Sequence, residues 1–297
     1  MKQCDDDLDG FSIFNLEEVK AELSVNYLNE TITFYESQSD AENDNDSILN
    51  GTTYLNQVVS SDNIWARIEN DNECYRTAQV NLIVSTTQIP NTLSRSFYQC
   101  DDGVDLNDGI ATFDFGSVDT EIRALFPMGQ QLIINYYRNQ AEALSELNSI
   151  TDINSYQNLG YPYSQDIYVR VDSALDNDCL GLGNHITLYV ETVPIAYPVM
   201  IPEQCDDDGD NMFAFDTSNI ESTLLNGQTN VALIYTDDSG SLLASPLPNP
   251  FLTSSQTIIA RITNTNSQDP NGACYDETEI IFTVDAAAVA YPIDDFV

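Results

Sequence analysis

An all-β chain of three tandem sandwich modules is what this sequence predicts, on three observations. The string Gln-Cys-Asp-Asp occurs three times, at residues 3–6, 99–102 and 204–207, so the chain repeats itself. Its first cysteines, Cys4, Cys100 and Cys205, lie 96 and then 105 residues apart, the size of a domain rather than of a solenoid repeat. Short runs rich in β-branched and aromatic residues alternate with clusters of Asn, Asp, Gly and Ser, the pattern of strands joined by turns. The expected modules are residues 1–90, 91–195 and 196–297. A repeat of about 100 residues with little helix reads as an immunoglobulin-like β-sandwich.

The landmarks recur in the same order in each module. Behind the Asp-rich segment stands Phe14, Phe113 or Phe215. Apolar residues four apart follow, at Val19/Leu23, Val118/Ile122 and Ile220/Leu224, which suits one or two helical turns on a core. In the third module, Ser218 and Glu221 resemble a capping box. Next comes a strand ending in tyrosine, at 32–35, 134–137 and 233–235, then a variable loop carrying Tyr54, Tyr156 or Phe251. The strongest internal match is Ile-Trp-Ala-Arg-Ile at 64–68, Ile-Tyr-Val-Arg-Val at 167–171 and Ile-Ile-Ala-Arg-Ile at 258–262. Its alternating β-branched residues mark a half-buried strand. A second cysteine (Cys74, Cys179, Cys274) precedes the last strand, at 80–84, 186–190 and 280–284. Ala290-Tyr291-Pro292 echoes Ala196-Tyr197-Pro198 at the joint before the third module. The expectation is therefore a fragment of a longer array, with its natural start also removed.

Six cysteines fall two to a module at equivalent places, so the economical pairing is within modules: Cys4 with Cys74, Cys100 with Cys179, Cys205 with Cys274. A loop of roughly 70 residues closed in this way stabilises a module by about 4 kcal/mol on the chain-entropy model. Zinc is the poorer use of these thiols, because there is no CxxC and the single histidine, His185, cannot serve three modules. Structural disulfides imply an oxidising compartment.

Forty-eight acidic against nine basic residues give a net charge of −39. That field repels phosphate backbones and anionic membranes and attracts cations. No nucleic-acid partner is expected, and no membrane insertion either, since no apolar run approaches the ~20 residues a spanning helix needs. Asp5, Asp7 and Asp9 followed by Gly10 form the opening of a calcium loop, with oxygen ligands at alternate positions and a glycine for the turn. The third module has Asp206, Asp208 and Asp210, with Asn211 at the glycine position. In the middle module this segment is three residues longer, and Asp101, Asp102 and Asp105 are out of register. None has the bidentate Glu that closes an EF-hand loop. Two readings stand: a structural calcium ion completed by other loops or water, or a solvated turn stiffened by Asx hydrogen bonds. Arg67, Arg170 and Arg261 share one strand position. Each is expected to lay its stem on the sheet and pair with a carboxylate of its own module, a ligand-reading role being the alternative.

Catalysis is not expected. One histidine and no Ser/His or Cys/His arrangement leave no nucleophilic machinery, and the notable residues recur in every module rather than in one. A cluster of exposed aromatics around Tyr156, Tyr161 and Tyr163 would instead favour a discrete carbohydrate- or protein-binding pocket.

The order Cys-Asp-Asp-Asp-x-Asp-Gly-Phe, Phe-Asn-Leu, Thr-Phe-Tyr-Glu, Ile-Trp-Ala-Arg-Ile-Glu-Asn, Glu-Cys-Tyr and Val-Asn-Leu-Ile-Val in residues 4–84 resembles repeats of large cell-surface adhesins of Bacteroidota. These include adhesins of the gliding-motility type exported by type IX secretion. The resemblance implies an extracellular structural or adhesive array at the cell surface. Its partners would be a surface polysaccharide or protein, or neighbouring modules of the same chain. A subunit of a surface filament or motility complex, held by strand addition, is the remaining alternative.

Overall fold

A computed structural model describes residues 1–5 and 9–288. Asp7 and the joint at 290–292 lie outside the described residues. Module 1 runs β1 (Lys2–Asp5), β2 (Ile13–Phe14), a 3-10 turn (Leu16–Val19) leading into α1 (Lys20–Leu23), β3 (Thr31–Tyr35), α2 (Gln38–Asn43), β4 (Tyr54–Leu55), β5 (Ser61–Glu69) and β6 (Tyr75–Thr86). Module 2 repeats the order as β7 (Arg95–Cys100), β8 (Thr112–Phe113), α3 (Ser117–Arg123), β9 (Leu132–Tyr137), α4 (Gln140–Ser145), β10 (Tyr156–Gln157), β11 (Ser164–Ser173) and β12 (Cys179–Glu191). Module 3 has β13 (Gln204–Cys205), β14 (Phe213–Phe215), α5 (Ile220–Leu225), β15 (Val231–Thr236), β16 (Phe251–Thr253), β17 (Gln256–Asn264), β18 (Tyr275–Phe282) and β19 (Val284–Asp285). The chain divides into two compact units, Met1–Phe97 with Thr112–Tyr189, and Tyr98–Ala111 with the described residues from Val190 onward. The division falls inside β7 and β12, so module 2 contributes to both.

Each module is built on one principal sheet. In module 1 its order is β1-β6-β5-β3, and in module 2 it is β7-β12-β11-β9. Alternation along β5 explains the layering. Ile64 and Ala66 face a core with Phe14, Leu16, Val19, Phe34, Val80 and Leu82, while Trp65 and Arg67 point the other way. A ribbon of β2 and β4 and the 3-10 turn close the core side. Module 3 repeats this with the β14–β16 ribbon, α5 and a core of Phe215, Ile220, Leu224, Ile258, Ala260, Ile262, Ile280 and Phe282. Among the described residues, only one of the two sheets expected of a sandwich is therefore built to full size; the other is a two-stranded ribbon. The helical turns form where the four-residue spacing places them, burying Val118 and Ile122, and Ile220 and Leu224. The capping box does not form: α5 is capped by Asn219, with no side-chain bond.

The outer face is covered too, by helices that apolar spacing does not reveal. α2 and α4 are six residues each, and only Ala41 of α2 is buried. Their signal is at the caps: the side chains of Ser37 and Asn139 accept from the backbone N–H of Asp40 and Glu142, three residues on. Each helix ends on a residue in the left-handed region, Asp44 and Glu146. Beneath them lie Tyr35 and Tyr137, fully buried. Among the described residues module 3 has no such helix; its β15–β16 connection is a loop in which Asp237 Oδ1 accepts from Ser239 and Ser241.

Strand β1 is the element that decides the disulfides. It runs parallel to β6, with Gln3 opposite Val84 and Cys4 opposite Ser85. β13 and β19 repeat this, Gln204 opposite Val284 and Cys205 opposite Asp285. The second cysteine of a module lies far from that pairing, just before Tyr75 at the start of β6 or Tyr275 at the start of β18, the strand that precedes β19. Eleven residues separate Cys74 from Ser85 and Cys274 from Asp285, about 36 Å at ~3.3 Å each, whereas a disulfide needs Cα atoms about 4.4–6.8 Å apart.

Candidate functional site

The intramodule pairs Cys4/Cys74, Cys100/Cys179 and Cys205/Cys274 are thus corrected by the fold. The first cysteine of one module bonds the second cysteine of the next: Cys4 to Cys179, with Cα atoms 5.3 Å apart, and Cys100 to Cys274, at 5.5 Å. Cys74 and Cys205 are free and exposed. Each bond closes a loop of about 175 residues, worth about 5 kcal/mol of unfolded-chain entropy on the same model. Because that entropy grows only with the logarithm of loop length, the gain over the expected loops is small. What changes is the object constrained, which is a pair of modules.

The Cys4–Cys179 junction lies within the first unit. Cys4, Tyr137, Ala143, Leu144, Cys179 and Leu182 form its apolar core, with Ile13 and Tyr168 against it. Polar contacts come from the end of α4. Gln3 donates its amide to Leu144 O and to Ile13 O, each at 2.9 Å, and Asn15 donates to Ser145 O at 2.9 Å. Arg170, 1% exposed, is the hub. Its Nη1 donates to Gln3 Oε1 and, at 3.3 Å, to Ala143 O; its Nε bonds Asp172 at 2.9 Å; its Nη2 pairs with Glu146. Burial pushes Asp172 up to about 7 against the pull of Arg170. Burial, then the charge of Glu146, pushes Glu18 up to about 8. Beside the hub opens a cleft of about 250 Å³ whose lining includes Glu18, Glu22, Glu146, Asp176 and Asp178. The chain between modules is stitched in as well: Gln88 N–H donates to Leu180 O, and Leu182 N–H to Thr87 Oγ1. Gly181 permits this close approach, since a Cβ there would sit 2.5 Å from Ile89 Cγ1. His185 belongs to this region only as a core residue, with Nδ1 2.9 Å from Leu93 O.

The Cys100–Cys274 junction, in the second unit, uses acids and no arginine. Asp269 accepts from Cys100 N–H at 2.9 Å and from the Gln99 amide at 3.1 Å. Glu191 accepts from Gln268 N–H at 2.6 Å, from Asp269 N–H at 3.2 Å and from the Ser267 hydroxyl. Cys100, Glu191 and Cys274 have the proximity of a metal cluster, but both thiols are consumed in the disulfide. Asn264 donates to Thr192 O and Gln228 bonds both polar groups of Ile195, tying down the connection into module 3.

The shared arginines each meet a carboxylate of their own module, in environments that differ. Arg67 bonds Glu69 and donates to Ala41 O and Glu42 O at the end of α2, as a cation at a helix C-terminus should. Arg170 has α4 in the same position. Arg261, with no helix over it, is 42% exposed; it pairs with Glu277 and stacks on Tyr275.

The acidic loops share one device. The aspartate after each first cysteine accepts the N–H of a residue with positive φ: Asp5 from Gly10, Asp101 from Gly109, Asp206 from Asn211. The extra length of the middle loop is absorbed before that closing bond, which is why Asp105 serves a local Asx bond to Asn107. Burial pushes the Asp101 carboxyl up, whereas the N–H groups of Asn211 and Gly209 hold Asp206 below the usual range. Asp9 accepts from Phe11, and Asp210 from Met212. Asp206, Asp208 and Asp210 bring carboxylate oxygens within 4.8 Å of one another. Among the described residues, Asp101, Asp102 and Asp105 form no such group, and of the Asp5, Asp7 and Asp9 set Asp7 lies outside the described residues. The aromatics of module 2 do not make a platform. Tyr156 packs edge-on against Phe115 and bonds Gln165, the Tyr161 hydroxyl accepts from Asn139, and of the three Tyr163 is the most exposed.

Curated proteins give no match to this chain. Among solved structures, a 1.5-MDa bacterial ice-binding adhesin, described for its retention at the host cell surface, aligns at 12% identity and TM-score 0.23, over 87% of each chain. Mouse protocadherin-24 EC1-3 aligns at 11% and 0.17, over 77% of this chain and 80% of that one; Drosophila N-cadherin EC1-4 at 10% and 0.16, over 96% and 73%. TM-scores this low do not establish a shared fold. The family model for the Flavobacterium inter-domain disulphide bond domain matches three times, and its description agrees with the bonding seen here. The chain belongs to that family, in three copies covering residues 1–90, 96–194 and 201–288.

Proposed function

We propose that the chain is a segment of an extracytoplasmic structural array that spaces or presents adhesive surfaces at a bacterial cell, with no catalytic role. The observation that carries this reading is the bonding of each module to the next. Such bonds belong to oxidising compartments, and they make the array continuous by a second covalent route. Placement at the cell surface, type IX export and a part in gliding rest on the resemblance alone. Its partners would be a surface polysaccharide or protein, met weakly and many times over.

Tension is the condition under which the arrangement matters. The shortest covalent path from Cys4 to Cys274 crosses one disulfide to Cys179, runs back 79 residues to Cys100, and crosses the other. At ~3.5 Å per residue that path extends to about 280 Å, against about 950 Å for the 270 residues of the reduced chain. Single-molecule pulling in oxidising and reducing buffer tests this; equal unfolding extensions in the two buffers would remove it. A second reading, calcium held at Asp206, Asp208 and Asp210, is favoured by the closeness of their oxygens. It predicts a higher Tm in millimolar calcium, and an unchanged Tm leaves these loops as turns.

A further inference from the structure

Within the second unit, the connection from module 2 into module 3 lines a groove of about 500 Å³. Pockets that take small ligands measure about 300–1,000 Å³. The lining comes from the end of β12, the connection at residues 192–195, the loop at residues 228–231, and Asn264 with Asn266 at the end of β17. Side-chain bonds to backbone hold this frame before any ligand arrives. Gln228 Oε1 accepts from Ile195 N–H at 2.9 Å, and its Nε2 donates to Ile195 O at 2.8 Å and to Leu225 O at 3.1 Å. Asn264 Nδ2 donates to Thr192 O at 3.1 Å. The connection is thus pinned at both ends, and a ligand would not have to order it.

The polar groups left over are of one kind. Asn230 sits in the left-handed region, fixed by its carbonyl, which accepts from Thr265 N–H at 2.9 Å and from the Thr265 hydroxyl at 2.8 Å. Thr229, Asn230 and Asn266 are exposed, and within the described residues their side chains make no hydrogen bond. Glu191 is the one ionisable residue of the lining, and its carboxylate is already engaged by Ser267, Gln268 and Asp269. In a chain of net charge −39, an anion is repelled and a cation finds more strongly charged surface elsewhere. The groove therefore suits an uncharged ligand. Amides and hydroxyls donate and accept in the same place, as sugar hydroxyls do, and Ile195, 40% exposed, offers an apolar contact for the C–H face of a ring.

From this we infer that the groove binds a segment of uncharged polysaccharide, with Thr229, Asn230 and Asn266 bonding its hydroxyls. Modules 2 and 3 and the connection between them all contribute, so a module standing alone does not have the site. The inference deepens the array reading, on which it rests for a place outside the cell, by naming one partner.

The test follows the side-chain amide signals of the full chain by NMR while neutral gluco-, manno-, xylo- and galacto-oligosaccharides are added at millimolar concentration. Oligogalacturonate is the charged comparison, and a glycine- and serine-rich peptide the protein-like one. The expected result is a saturable shift of the Asn230 and Asn266 signals with at least one neutral series and with neither comparison. Asn230→Gly keeps the backbone that a positive φ demands while removing the amide. Combined with Asn266→Ala, it should weaken binding at least about fivefold with Tm unchanged. Silence from every neutral series, an equal response to oligogalacturonate or the peptide, or undiminished binding by the double variant would each overturn the assignment. The pulling experiment does not involve these side chains, so the array reading and the groove fail separately.

Discussion

The two closed junctions use the same pair of cysteines in the repeat and surround them with opposite chemistry. At Cys4–Cys179 a buried arginine gathers carboxylates and gives a hydrogen to Gln3 Oε1. At Cys100–Cys274 a carboxylate, Asp269, takes a hydrogen from the Gln99 amide. Glutamine serves both because its side chain donates and accepts. The lesson is that the bond follows from where the strands put the cysteines, while the polar setting is free to vary with the helix. Where α4 covers the outer face, the arginine is enclosed and must be neutralised; where that helix is missing, Arg261 lies in solvent and a loop does the work.

Four experiments break or sharpen this contrast. Removing either disulfide by paired Cys→Ala changes should cost about 5 kcal/mol on the chain-entropy model, equally at both junctions because the loops span 175 and 174 residues. Unequal losses in urea unfolding would show that the surroundings, not the loop, set the value. Arg170→Ala should cost about 3–5 kcal/mol, because it strands Asp172 and Glu146 without their cation, whereas Arg261→Ala should cost less than about 1 kcal/mol. Trp65, the sole tryptophan, reports the first unit in such titrations. Asp269→Ala should cost about 1–3 kcal/mol, leaving Cys100 N–H without its acceptor, and should not alter the Trp65 transition. The smallest effect is on pH. Glu18 and Asp172 have folded-state pKa values raised to about 8 and about 7, so the folded state holds protons that the unfolded chain releases above the ordinary carboxylate range. Their contribution is fully present below about pH 4 and lost as pH rises through 7 to 8. The Trp65 urea midpoint should therefore fall between pH 5 and 8.5, and this component should vanish in a Glu18→Gln, Asp172→Asn variant.

Much of each module was legible because its signals are local and repeated. The alternation at 64–68 and its two copies places β5, β11 and β17, and the four-residue spacing places the helical turns. The disulfide partners were not legible, since they depend on β1 running parallel to β6, a pairing between residues some 80 apart that leaves no periodic trace. Helix α2 escapes apolar spacing because it buries only Ala41, and α4 because its buried residues, Ala143, Leu144 and Ser145, are consecutive rather than four apart; the cap signature at Ser37 with Asp40, and Asn139 with Glu142, was the available clue. The aspartates stood out by number, but the role the structure gives Asp5, Asp101 and Asp206 depends on which N–H lies opposite, a property of the loop's backbone.

The overlap of the two disulfide loops makes the chain tolerant of nicking. A protease cut anywhere between Cys4 and Cys179 is bridged by the first bond, and anywhere between Cys100 and Cys274 by the second. Any single cut from residue 4 to residue 274 therefore leaves one covalent molecule, and a cut between 100 and 179 is spanned twice. On a non-reducing gel a singly nicked chain keeps its full mass, and only reduction releases the fragments. Two cuts release only the piece between them, and only when both fall in the same interval, 4–100, 100–179 or 179–274; the two ends of the chain stay joined in every case.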